Sequence, residues 1–296
     1  MNATEEYTQP LGLDIGTSRI VVARNGDKNC QYDSLLNAFL TIPYSKLAES
    51  LLQREDVFHE VQGSDIVVAG NEARKFAEIF HLETRRPMLS GVLNPHEPHS
   101  LAVIRRIIAK LLGQLGYAPT PIQEGLAVVF GELATSNFTG IGVSCGSGLC
   151  NACLAVLSVP VLSFSVPKAG DFIDSQAAAV TGDLATRLRV RKEQSFRLNG
   201  LASDRTLNAL TVYYQEVIAN LTAALRTYIS ATQRLPKLDY AIPLVLSGGT
   251  VMPKGFLDHF SAALRAQDFP IRLSEVRLSP DPLNSTARGA LMAALC

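Results

Sequence analysis

The sequence has no excess of either charge. Its 27 Lys and Arg balance 27 Asp and Glu, and charged residues are only 18% of the 296. Such a chain carries neither the basic footprint of a nucleic-acid binder nor an acidic tail, so no nucleic-acid partner is expected. It also lacks the self-repulsion that keeps copies apart, which is compatible with self-association. Cysteines are few and odd in number: Cys30, Cys145, Cys150, Cys153 and Cys296. That is a poor disulfide framework and fits reduced thiols in a cytoplasmic protein. The polar, acidic stretch 1–10 has neither the basic nor the apolar region of a signal peptide. Long hydrophobic runs are missing too. The most apolar stretch, Leu149 to Val166, is interrupted by Asn151, three serines and Pro160, and reads as paired strands, not a transmembrane segment.

Familiar catalytic and metal signatures are equally scarce. The five histidines form no His-x-x-x-His pair, and His96 and His99 fall in a polar loop. Ser144 lacks the G-x-S-x-G setting of a hydrolase nucleophile. Cys145, Cys150 and Cys153 have the spacing of an iron–sulfur run. Yet Cys150 and Cys153 lie an odd number apart on a predicted strand, so their side chains face opposite sides, as small buried residues do.

What is present is a large apolar fraction, 47%, on a chain long enough for two domains. Residues 11–24 read as strand, tight turn and β-branched return strand. Residues 35–62 read as loop with one amphipathic helix, 44–54, followed by a strand at 65–70 and a helix at 72–80. Residues 85–100, with three prolines, read as loop, and 101–115 and 124–133 as helices. The opening device then recurs: 141–148 is a short apolar strand running into a glycine turn, with return strands at 150–157 and 161–166. This weak repeat places a boundary near residue 140, dividing the chain into 1–140 and 141–296. Helices are expected at 177–187, 207–228, 256–266 and 287–294, and strands at 242–247 and 271–276. Alternating strands and helices predict an α/β fold.

Three apolar strands end in glycine turns: Asp14-Ile15-Gly16-Thr17-Ser18, Gly146-Ser147-Gly148 and Gly248-Gly249-Thr250. Glycine allows close approach of backbone to ligand, and the N–H groups of such turns cradle phosphate oxygens. The hydroxyls of Thr17, Ser18, Ser147 and Thr250 add donors. Asp14 is placed to hold Mg²⁺, directly or through water. One such turn is ordinary; three in order, each after an apolar strand, are a specific pattern.

At this point the sequence resembles the actin-like superfamily, which includes actin, heat-shock chaperones and sugar kinases, and most closely its MreB-like bacterial actins. Leu13 to Ser18 is similar to the first phosphate loop, Val143 to Gly148 lies where the second would be, and Leu246 to Thr250 is similar to the adenosine motif. Between them, Val68 to Ala73, Arg86-Pro87-Met88, Gly91-Val92-Leu93, Ile122 to Gly125, Gly170 to Asp174 and Asp281 to Gly289 resemble MreB-like segments. The resemblance implies two actin-like halves, each with a mixed, five-stranded-like sheet, around a cleft that binds ATP with Mg²⁺, and possible assembly into filaments or oligomers. It also implies a helix offering a basic and an acidic residue to ribose and adenine, for which Arg189 and Glu193 are the candidates.

The departures bear on turnover. Ser144 stands where the second loop normally begins with aspartate, and Leu149-Cys150 replaces a Thr-Thr pair. Only 113–121 bridge the helices where the resembling family has a further strand and helix, so the first half is expected to be trimmed. The family's catalytic acid is expected in that lost segment, with Glu124 read as a cap or structural residue. Hydrolysis is therefore expected to be weak or absent, and if the protein is an enzyme it is an ATPase. A scaffold that keeps the fold without turnover, and a chaperone- or kinase-like member, stay open; the motifs between the loops favour the MreB-like reading.

Overall fold

A computed structural model describes residues 9–26, 29–113, 116–198, 204–233, 235–236 and 238–296. The expectations for stretch 1–8 and for a helix continuing through 114–115 lie outside them.

The chain opens with a meander of β1 (Leu11–Ile15), β2 (Arg19–Asn25) and β3 (Cys30–Leu36), paired antiparallel in the order β1-β2-β3. A second small sheet follows. Its strands are β4 (Phe39–Pro43), β5 (His59–Gln62) and β6 (Asp65–Ala69), in the order β4-β6-β5. Helices α1 (Lys46–Arg54) and α2 (Asn71–Phe80) bury Leu52, Ala73 and Ala77 against Leu40, Ile66 and Val68 of that sheet. A two-residue turn, Ser90-Gly91, both at positive φ, joins β7 (Met88–Leu89) to β8 (Val92–Leu93). Helix α3 (Ser100–Leu112) then packs Val103, Ile104, Ile107 and Leu111 under the first sheet.

Helix α4 (Glu124–Glu132) leads to β9 (Gly140–Cys145), β10 (Cys150–Val156) and β11 (Val159–Val166). After them come α5 (Gly170–Thr181), α6 (Ala185–Ser195), α7 (Arg205–Ala231), β12 (Ile242–Ser247), α8 (Phe256–Arg265), β13 (Leu273–Leu278) and α9 (Ser285–Leu295). The second half has a five-stranded mixed sheet, β11-β10-β9-β12-β13, in which β9 and β12 run parallel. These two central strands are buried at every position, as strands covered on both faces must be. On β10, Cys150 faces the core beneath α5 and α7, while Cys153 faces the one beneath α4, so the odd spacing separates them as expected.

Four expectations need correcting. In place of a mixed five-stranded sheet, the first half has two separate three-stranded antiparallel sheets. Residues 35–62 hold three strands beside their helix: β4, β5 and the end of β3. Stretch 85–100 contains the β7–β8 hairpin. The helix placed at 177–187 is two helices: Gly182, at φ 75, stops α5 in the left-handed conformation, and α6 begins at Ala185.

The two halves are interlocked near the cleft floor. Helix α4 packs on β9 and β10, while α9, from the end of the chain, packs on β1 and β2 and crosses α4. Glycines make the crossing close: a Cβ on Gly289 would overlap the Ala127 carbonyl, and one on Gly12 the Ala287 carbonyl. Glu132, 3% exposed, accepts hydrogen bonds from Ser279, Ser285 and Arg288, fastening α4 to the C-terminal segment. No helix among the described residues is long and apolar enough to cross a membrane.

Candidate functional site: the cleft between the sheets

One large cavity, about 1000 Å³, lies between the two halves. All twelve residues singled out in the sequence line it: Asp14, Gly16, Thr17, Ser18, Gly146, Ser147, Gly148, Arg189, Glu193, Gly248, Gly249 and Thr250. The topology explains the convergence. The β1–β2 turn, the β9–β10 turn and the end of β12 open onto the same space, the last two because β9 and β12 are parallel neighbours.

The β1–β2 and β9–β10 turns meet at the β7–β8 hairpin. Gly91, at the tip of the β7–β8 hairpin, donates its N–H to Thr17 Oγ1 at 3.1 Å. A Cβ on Gly148 would lie 2.9 Å from the Gly91 nitrogen, so only glycine allows this approach.

The loop carbonyls are held by donors from neighbouring segments. Gly16 O accepts from Asn37 Nδ2 at 3.0 Å, Thr17 O from Arg86 Nη1 at 3.0 Å, and Ser18 O from the Asn37 N–H at 2.9 Å. On the second loop, Gly146 O accepts from Thr250 Oγ1 at 2.6 Å and the Gly170 N–H at 3.3 Å, and Ser147 O from the Asp171 N–H at 2.7 Å. In a planar trans peptide the C=O and the following N–H point in opposite directions. Anchoring Gly16 O, Thr17 O, Gly146 O and Ser147 O thus turns the amides of Thr17, Ser18, Ser147 and Gly148 the other way. None of these four amides donates to another backbone group among the described residues.

The Thr250 hydroxyl, counted as a phosphate donor in the sequence, is therefore a backbone anchor here. Ser147 Oγ, by contrast, is buried and has no partner among the described residues. The Tyr214 hydroxyl, on α7, is another such orphan on the cavity wall. Burial, then the charges of Asp174 and Glu193, push its pKa well up, so it stays a neutral hydrogen-bonding group.

Asp14 has its carboxyl pKa raised to about 8, first by burial and then by repulsion from Glu124. Glu124 also lines the cavity and accepts from Asn151 Nδ2 at 2.9 Å; Ser165 Oγ donates in turn to Asn151 Oδ1 at 2.6 Å. The reading of Glu124 as a cap is corrected: it stands at the first position of α4 with its carboxylate toward the cleft. Asp14 therefore holds its proton more readily than a free carboxyl, a cation between it and Glu124 would offset their repulsion, and such oxygen donors suit Mg²⁺. Ser144 Oγ is 3.4 Å from Thr286 Oγ1 and brings no charge.

Arg189 and Glu193 line the cavity with their side chains already engaged. Arg189 bonds Asp174 at 3.1 Å and Asp171 at 3.0 Å, and Glu193 pairs with Arg74 of α2 at 3.0 Å. Sequence reasoning missed Asn37, Arg86, Asn151 and Tyr214. Arg86 stood in a quoted segment without a role, and the others carry no motif.

A family model described as Volactin matches residues 10–114 and 102–294. The chain belongs to the Volactin family. Among solved structures this Volactin-family chain is similar to a MamK double helical filament, at 18% identity and TM-score 0.70, over 97% of this chain and 98% of that one. A non-polymerising MamK mutant bound to AMPPNP is similar at 19% identity and TM-score 0.55, over 97% and 98%. The ethanolamine utilization protein EutJ from Carboxydothermus hydrogenoformans is similar at 16% identity and TM-score 0.54, over 99% and 92%. No curated protein matches the sequence. At these identities the likeness establishes the fold, which is actin-like over nearly the whole chain.

Proposed function

We propose that the chain binds ATP with Mg²⁺ in the cleft, turns it over slowly if at all, and self-associates. The observation that carries this reading is the convergence of three glycine turns on one cavity. It is of a size that takes a nucleoside triphosphate, since ligand pockets run to about 1,000 Å³. Thr17, Ser18, Ser147 and Gly148 would meet the phosphates with backbone amides, and Ser147 Oγ would gain the partner it lacks. Asp14 and Glu124 would hold the metal, which supplies charge neutralisation at the phosphates. The base and ribose would lie toward Gly248, Gly249, Tyr214 and the Arg189–Glu193 face of α6. AMPPNP bound to one similar fold supports the nucleotide; a filament formed by another supports self-association.

Calorimetric titration with ATP and Mg²⁺ tests the site, using Asp14→Ala and Ser147→Ala as cleft variants. Binding by the parent, weakened in both variants, is expected; no heat at millimolar nucleotide overturns the reading. Gly248→Val is unsuitable as a control, because Gly248 sits at φ 92 with the Cys145 carbonyl against its missing Cβ. Pelleting and negative-stain microscopy with and without ATP test assembly, and a strictly monomeric chain at high concentration and low salt removes that part.

The departures at Ser144, Leu149 and Cys150 favour a second reading, a nucleotide-binding scaffold without turnover. Phosphate release separates the two.

A further inference from the structure

We propose that Asn37 and Arg86 are the positioning residues that make the first loop a polyphosphate site, acting from behind the loop without touching the ligand. The inference rests on the nucleotide reading of the cleft. Asn37, fully buried between β3 and β4, grips both ends of the turn: its Nδ2 donates to Gly16 O, and its backbone N–H donates to Ser18 O. Arg86 takes the carbonyl between them, Thr17 O. Three successive carbonyls are thereby each held by a donor.

The consequence follows from peptide geometry alone. With Gly16 O and Thr17 O fixed by their donors, the N–H groups of Thr17 and Ser18 are fixed in the opposite sense. Successive amides aimed at one point form an anion-binding concavity. A glycine turn left to itself samples several orientations, and each flipped peptide would present a carbonyl, and so a repulsive oxygen, to phosphate. Asn37 and Arg86 remove those alternatives before ligand arrives, which is preorganisation.

Arg86 does a second thing. Its Nη2 lies 4.0 Å from Asp171 Oδ1, and Asp171 donates its backbone N–H to Ser147 O of the second loop. One guanidinium thus stands between the anchors of both loops and sets them in register across the two halves. The guanidinium is largely buried, and Arg189, the neighbouring cation, also holds Asp171. Loss of Arg86 therefore leaves Asp171 paired, so an Arg86 variant is not left with an isolated buried charge.

The test compares ATP with adenosine by calorimetry, on the parent chain and on Asn37→Ala, Arg86→Ala and Arg86→Lys, with thermal melting of each ligand-free chain as the folding control. A positioning role predicts that Asn37→Ala and Arg86→Ala weaken ATP about tenfold, the scale of one lost hydrogen bond with some disorder, and leave adenosine within about twofold. Arg86→Lys should recover part of the loss, since one donor and the charge remain. Equal weakening of ATP and adenosine would mean general loosening of the cleft and would overturn the proposal, as would unchanged ATP affinity in both alanine variants. A parent chain that binds neither ligand instead defeats the nucleotide reading itself, and the proposal with it.

Discussion

Glu193 on α6 and Arg74 on α2 meet at 3.0 Å, joining the small sheet's helix to the second half at the rim of the cleft. Glu83, just beyond α2, accepts from the Thr186 hydroxyl at the start of α6. The acidic residue that the sequence offers to a ribose is here one half of a bridge between the two lips. The pair is 30% and 49% exposed, so solvent screens it and its worth is about 0.2–1 kcal/mol. Breaking it with Glu193→Ala or Arg74→Ala should speed release of a fluorescent ATP analogue by roughly two- to fivefold. Exchanging the charges, Arg74→Glu with Glu193→Arg, should restore the parent rate. Stopped-flow displacement by unlabelled ATP measures it; a rate unmoved by either single variant would dismiss the bridge as a gate.

Asp14 makes the stability of the ligand-free chain fall with rising pH. Its carboxyl titrates near 8 when folded and near 3.8 otherwise. Between those values the folded chain keeps a proton that the unfolded chain has lost. Stability is therefore greatest below the lower value and declines as pH rises toward the upper one. Asp14→Asn carries no such proton and should flatten the decline, melting above the parent at pH 8 and closer to it at pH 5. Melting temperatures over that range, in metal-free buffer, check the sign. Parallel pH curves for the two chains would show that Asp14 ionises normally.

The α4–α9 crossing should tolerate no side chain at Gly289. The Ala127 carbonyl occupies the place of a Cβ, and the obstacle is backbone, which yields only by moving a helix. Gly289→Ala should cost about 3 kcal/mol or more, the upper range for overpacking. Gly182→Ala is the contrasting variant: a Cβ there meets nothing, and only its left-handed φ of 75 opposes the change, at about 1 kcal/mol. Urea unfolding of both chains gives the ranking, and equal midpoints would mean that the helices separate without penalty.

The strands that reach the cleft were readable because they end apolar, β-branched runs in glycine turns, and their order along the chain carried the fold. The small sheet was not. Strand β5 is only four residues, His59 to Gln62, with no buried position, and in the first sheet β3, with Cys30, Gln31 and Asp33, is an edge strand that buries none of its residues fully. The break between α5 and α6 had a local signal, Gly182 before Asp183, which the apolar spacing over 177–187 masked. Glu124 shows the other limit. The sequence placed it on a helix start, and only the approach of α4 to the β1 turn makes it a neighbour of Asp14. The anchors Asn37 and Arg86 act on backbone oxygens, and no spacing rule encodes that.

Hydrolysis should be slow, and the structure narrows the reason. Phosphoryl transfer asks a protein for metal-held phosphates and for a group that orients the attacking water. Asp14 and Glu124 are the two carboxylates on the cavity wall that fit these tasks. Ser144, buried beside Thr286, supplies no charge where the resembling family has aspartate. Without a carboxylate at Ser144, Glu124 is divided between metal and water. A misplaced acid or base costs about a hundred- to ten-thousand-fold, so turnover should lie well below the ordinary value, on the order of ten per second. Phosphate release followed over hours should show a slow parent, a further fall of at least about tenfold in Glu124→Gln if that carboxylate orients water, and a rise in Ser144→Asp with Mg²⁺ present. The same Ser144→Asp chain should melt below the parent without metal, because a third carboxylate then shares the cleft with Asp14 and Glu124. Parent turnover near ten per second, or a Glu124→Gln chain as fast as the parent, would place the catalytic group elsewhere in the cleft.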